Sequence, residues 1–168
     1  MNKRLWAWPL VALVFLLLQS TSFGTFSGSV WFDLPLLFVY SVAMLRGAKV
    51  GGLCGLALGL IQDIFTVDVF GFHLLTRTLI GFGCGSIKEI VYRTNYHYHA
   101  LFIFCLSLAV RVLFIVPQYF FAGSFAGWLP CYGETALVYA LTNAVLAFPV
   151  GWLMVRVDRW IAAGDLSY

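Results

Sequence analysis

The stretch GAKVGGLCGLALGLIQDIFTVDVFGFHLLTR, Gly47 to Arg77, decides how the chain is read. It holds two apolar runs joined by a short turn around Asp68. In the first run Gly51, Gly55, Gly59 and Asp63 recur every four residues. An α-helix turns about 100° per residue, so each step drifts only about 40° and the four residues share one broad face. In the second run His73, Arg77, Gly81 and Gly85 repeat the spacing. Small residues at this interval let two backbones approach closely in lipid, where packing drives helix association. The stretch therefore predicts a membrane hairpin. Its packing seams are Gly51, Gly55 and Gly59 on one helix and Gly81 and Gly85 on the other, each with an ionisable residue at one end.

The rest of the chain extends this pattern. Of its 168 residues 62% are hydrophobic and 10% are charged, against about 25% charged in a soluble domain. Apolar runs repeat from end to end. They predict an all-α integral membrane protein, a single polytopic domain over residues 1–168 with helices at about 5–23, 31–45, 50–65, 70–87, 98–121 and 131–155. No segment is long or polar enough for a water-soluble catalytic module. Lys3 and Arg4 ahead of the first run resemble a signal-peptide start, but no A-x-A-like site follows, so this run is expected to stay as the first span. The second span is short, which suits a thinner stretch of bilayer. Pro35 lies in its first turn, where a missing N–H is harmless. Pro117 is expected to kink the fifth span.

Charge gives the orientation. Lys3, Arg4, Arg46, Lys49, Lys88, Arg93, Arg156 and Arg159 all lie at ends of apolar runs. With the N-terminus inside, the inner segments hold all of them and the outer loops none, so both termini are expected in the cytoplasm. Basic residues spread along membrane boundaries form no groove-sized patch, which argues against nucleic acid as a partner; the lipid bilayer is the expected one. The outer loops are uncharged and carry Phe23, Phe26, Phe125 and Trp128, aromatics suited to the interface or to a neighbouring membrane protein.

Two arginines, Arg77 and Arg111, fall inside apolar runs, and Asp33, Asp63, Asp68 and Glu134 lie at or near the outer half. Unpaired charge at membrane depth costs at least a few kcal/mol, so these groups should face the bundle interior or a wet cavity. Asp33, Asp63, Arg77, Arg111 and Glu134 form the candidate intramembrane cluster. Asp63 lies roughly 4 Å inside the end of its helix and Arg77 roughly 10 Å inside the next. A snorkelling arginine spans that difference, which predicts a direct Asp63–Arg77 contact. No catalytic, cofactor-binding or metal-binding motif stands out. His97 and His99 are two apart and point to different sides of a helix. Cys54, Cys84, Cys105 and Cys131 form no CxxC pair and are expected as packing residues. Asn143 is expected to bond between helices.

The order of residues carries a resemblance. Gln19-Ser20-Thr21 closes the first run, Asp33-Leu34-Pro35-Leu36-Leu37 opens the second, and Arg46-Gly47 ends it. GLALGLIQD follows across Gly55 to Asp63 and FGFHLL across Phe70 to Leu75. This string resembles the bacterial rod shape-determining MreD family, with the family's usual proline-then-aspartate order reversed at Asp33 and Pro35. The resemblance is strongest from Gln19 to Gly85. It implies a six-helix transmembrane bundle of the bacterial inner membrane, similar to the S-component fold of energy-coupling transporters. It implies a non-enzymatic scaffold of the elongation machinery, working with an MreC-like protein, the MreB filament, RodA and a class B penicillin-binding protein in lateral peptidoglycan synthesis. The family has no known catalytic residues to carry over. The alternative is an S-component-like, vitamin-binding transporter subunit, with the outer-half cluster lining a solute pocket. Against it, the A-x-x-x-A docking motif of such subunits is missing, since Ala7 and Ala12 are five apart.

Overall fold

The structure, a computed structural model, describes residues 6–23, 32–65, 71–89, 96–121 and 128–163; within these, the side chains of 21–23, 96–97, 115–121 and 128–134 are not described. Six helices make it up: α1 Ala7–Phe23, α2 Leu34–Arg46, α3 Ala48–Phe65, α4 Phe72–Ser86, α5 Tyr96–Phe121 and α6 Trp128–Ala163. There is no strand among the described residues. Each helix falls on one of the apolar runs. The last runs on to Ala163, past the Val155 at which the apolar sequence suggests an end. Arg156, Asp158 and Arg159 mark where hydrophobicity stops, but helical hydrogen bonds are internal, and no Gly or Pro follows Gly151 until Gly164. The Pro117 kink, the turn at Asp68 and the loop aromatics Phe23, Phe26, Phe125 and Trp128 lie outside the described residues and side chains.

The centre of the bundle is α2. Every residue from Leu34 to Met44 is buried, because α1, α3, α4 and α6 all pack on it. Phe38 receives the ring edges of Trp8 and Phe15 at 6.2 and 5.8 Å between centroids. This explains the shortness of the helix. Its 13 residues rise about 20 Å, against a hydrocarbon layer of about 30 Å. A helix sheathed by its neighbours has no lipid to match. Its C-terminus closes on Gly47, whose N–H reaches the Ala43 carbonyl at 2.8 Å and whose φ of 87° suits glycine.

The hairpin of α3 and α4 is the tightest pairing, and the two glycine stripes meet in it. A Cβ at Gly55 would overlap the Arg77 carbonyl, and one at Gly81 the Gly51 carbonyl. At Gly59 it would stand 2.5 Å from the Leu74 Cα, and at Gly51 2.6 Å from the Ala43 Cβ of α2. Backbone thus lies on backbone along the seam, a contact that side chains would prevent. The opposite faces are apolar and exposed: Leu53, Leu56, Leu60 and Ile64 on α3, Leu75, Leu79 and Phe82 on α4. Water-soluble monomers rarely show so long an apolar surface. Two helical stretches, Ala48–Phe65 and Thr135–Ala163, are long and apolar enough by themselves to cross a membrane.

One end of the bundle is basic. Arg46 ends α2, Lys49 opens α3, Lys88 follows α4, and Arg156 and Arg159 lie near the end of α6. Arg46 pairs with Asp158 at 2.6 Å, and the Lys88 side chain reaches over Gly47.

Candidate functional site

Asp33 stands at the head of α2, away from the basic end, and is buried. One carboxylate oxygen, Oδ1, caps the helix by accepting the Leu36 N–H at 2.9 Å. The other, Oδ2, holds the Arg77 Nη2 of α4 in an ion pair and accepts the Tyr139 hydroxyl of α6 at 2.9 Å. The Asp33 N–H donates to Asn143 Oδ1, one turn after Tyr139, at 2.9 Å. Asn143 in turn donates through Nδ2 to Ser107 Oγ of α5 at 3.1 Å. Arg77 uses its Nε on Gln62 Oε1 of α3 at 3.0 Å. From α1, Gln19 donates to the Phe32 carbonyl and accepts the Leu34 N–H, each at 3.0 Å. One carboxylate and its immediate surroundings therefore tie all six helices together.

The network is dry. Arg77 is 1% exposed, and Asn143 and Ser107 are fully enclosed. Arg111, half-buried on α5, lays its guanidinium 5.5 Å from the centre of the Tyr139 ring, a cation–π contact at the cluster's edge. Among the described residues, Arg77 Nη1 and Arg111 Nε have no hydrogen-bond acceptor. No group of three His, Cys, Asp or Glu side chains converges among them to hold a metal.

The expected Asp63–Arg77 contact is not made. Asp63 accepts the N–H groups of Gly71 and His73 at 3.0 Å and of Leu74 at 2.9 Å. It caps α4 from the neighbouring helix. The first turn of any helix leaves N–H donors without partners and concentrates positive potential, and the hairpin turn swings the end of α3 onto them. Gly71, at a left-handed φ of 93°, has no side chain to cap with. Arg77, deeper in α4, lies level with Asp33 and takes that carboxylate. Of the five cluster residues, Asp33 and Arg77 are bonded directly and Arg111 joins through Tyr139. Asp63 has a separate task, and the Glu134 side chain lies outside those described.

Tyr139, Gln62 and Ser107 were not singled out in the sequence. Tyr139 and Asn143 carried a signal: they are four apart on α6 and share a face, so both point at one target. Gln62 precedes Asp63 and Ser107 sits alone in an apolar run; neither carries a pattern.

The family model described as rod shape-determining protein MreD matches residues 2–157. The chain belongs to the MreD family. MreD is part of the rod-shape system, and the family match, with the apolar helices described above, makes this a membrane protein. No curated protein sequence and no solved structure matches it. Removing one partner of the buried Asp33–Arg77 pair would leave the other charge uncompensated in an apolar medium.

Proposed function

We propose that this chain is a non-enzymatic scaffold of the cell-elongation machinery, crossing the bacterial inner membrane six times with both termini in the cytoplasm. The observation that carries the reading is the Asp33–Arg77 network. The conspicuous polar chemistry in the described core is bonded internally across six helices, and the outward faces of α3 and α4 are apolar. A surface of this kind serves helix-to-helix contact in lipid. The basic end, with Arg46, Lys49, Lys88, Arg156 and Arg159, supports a cytoplasmic placement by the positive-inside rule. Family membership supports an MreC-like protein as the direct neighbour, its anchor helix packing on this bundle. MreB, RodA and a class B penicillin-binding protein then belong to the same assembly for lateral peptidoglycan synthesis.

Two experiments test it. Depletion in a rod-shaped host should round the cells, and the tagged protein should co-purify with an MreC-like partner; cells that keep their rod shape refute the role. For topology, single cysteines placed in 21–30 and 122–130 should be labelled from outside intact cells. Labelling within 90–96 from that side refutes the orientation.

A further inference from the structure

A cleft of about 360 Å³ opens between α2, α5 and α6 toward the basic end. Its walls are apolar for the most part: Met44 and Leu45 from α2, Ile103 from α5, and Phe148 and Met154 from α6. Three polar groups line it and are already bonded. Tyr40 and His99 share a hydrogen bond of 2.8 Å, and Ser41 donates to the Leu37 carbonyl. Arg159 is the one charged residue in the wall. Asp158 beside it is held by Arg46, and among the described residues no ion pair reaches Arg159. A second arginine lies three residues before Arg159 on α6: Arg156 stands 5.2 Å from the ring centre of Trp152, which itself lines the cleft.

Gly151 shows that the space is not packed by the protein itself. It lies in the wall, and a Cβ built there would meet nothing within 4 Å. Glycine in a helix interior is unfavourable by about 1 kcal/mol relative to alanine. Pro149, two residues earlier, removes a helical hydrogen bond on the same stretch. The helix thus carries two residues of poor helix propensity where it borders the cleft, whereas along the α3–α4 seam backbone stands where the Cβ of Gly55, Gly59, Gly81 or Gly85 would be.

We infer that this cleft holds an anionic diacyl phospholipid of the cytoplasmic leaflet, an acyl chain lying in the apolar slot and the phosphate meeting Arg159 and Arg156. The volume lies at the small end of ligand pockets and suits part of a lipid. Arginine matches phosphate oxygens in charge and in geometry. An aromatic-backed basic rim at a headgroup level is the expected setting for such a contact. The leaflet rests on the orientation proposed above; the chemistry of the cleft does not.

The test is native mass spectrometry of the full chain in detergent with added dioleoyl phosphatidylglycerol, phosphatidylethanolamine or phosphatidylcholine. One phosphatidylglycerol should be retained in preference to the other two. Arg159→Gln should weaken retention about fivefold, the effect of one basic residue near an anionic headgroup. Gly151→Leu should abolish it by filling the slot while leaving the thermal midpoint unchanged or raised. Lys49→Gln, at the same end but off the cleft, should change it less than twofold. Equal losses in Arg159→Gln and Lys49→Gln would reduce the contact to general surface charge and overturn the inference. Equal retention of phosphatidylcholine, or undiminished binding to Gly151→Leu, would overturn it too. Binding in detergent is indifferent to which face is cytoplasmic, so a failed topology test and a failed lipid test are told apart.

Discussion

Replacing Arg77 by methionine removes the one cation bonded to the Asp33 carboxylate among the described residues. The side chain is 1% exposed, so bulk solvent does not reach the pair. Asp33 keeps the Tyr139 hydroxyl and the Leu36 N–H, which solvate its charge without neutralising it. Breaking a buried pair from one side costs about 3–5 kcal/mol. The lost bond to Gln62 adds about 1 kcal/mol. Asp33→Asn alone leaves the arginine stranded and should cost a similar amount, although asparagine still caps α2. The double variant strands neither charge. The coupling in a double-mutant cycle should therefore reach about 3 kcal/mol. The assay is unfolding in mixed micelles titrated with a denaturing detergent, followed by tryptophan fluorescence. The companion cycle of Asp63→Ala with Arg77→Met should be nearly additive, because Asp63 bonds backbone N–H groups and not the guanidinium. If the Asp33 cycle is additive to within about 0.5 kcal/mol, or the coupling appears with Asp63 instead, the pairing described here is refuted.

Three further outcomes follow from the geometry. Gly55→Ala should destabilise by about 1–3 kcal/mol, since its Cβ meets the Arg77 carbonyl; Gly83→Ala, whose Cβ meets nothing, should be neutral or stabilising by up to about 1 kcal/mol. The same unfolding assay separates them. Tyr139→Phe removes one hydrogen bond to an ionised acceptor and should cost about 1.5–3 kcal/mol, read as a lower midpoint at unchanged helicity. Arg46→Gln breaks the exposed pair with Asp158 and should cost less than about 1 kcal/mol, with the difference shrinking further in high salt.

What the sequence revealed depends on how far each interaction reaches along the chain. Helices follow from runs of apolar residues, a local property, and the α3–α4 seam follows from two glycine stripes on helices joined by a short turn. The ion pair was misread for the same reason. Asp63 belongs to the same hairpin as Arg77, whereas Asp33 is 44 residues away and Tyr139 lies 106 residues from Asp33. Which helix packs on which is set by the whole bundle, and periodicity within one helix does not encode it. Helix capping was a competing use for Asp63 that chain order could not rank. The single polar residues on α6 showed a shared face but not what that face meets, and α2 could not be recognised as the sheathed centre from its length alone.

The arrangement of the Asp33 network has a consequence for synthesis. Asp33 and Arg77 both belong to the first four helices, and so do Asp63 and the α4 N–H groups it caps. A nascent chain released from the ribosome as far as α3 carries Asp33 without its counter-ion and Asp63 without the N–H groups it accepts. Once α4 is in place, both are satisfied, and α5 and α6 add Ser107, Tyr139 and Asn143 as neutral partners, with the Arg111 guanidinium at the edge against Tyr139. If the helices cross the membrane as proposed, a chain ending after α4 holds both the Asp33–Arg77 pair and the Asp63 cap, and one ending after α3 holds neither.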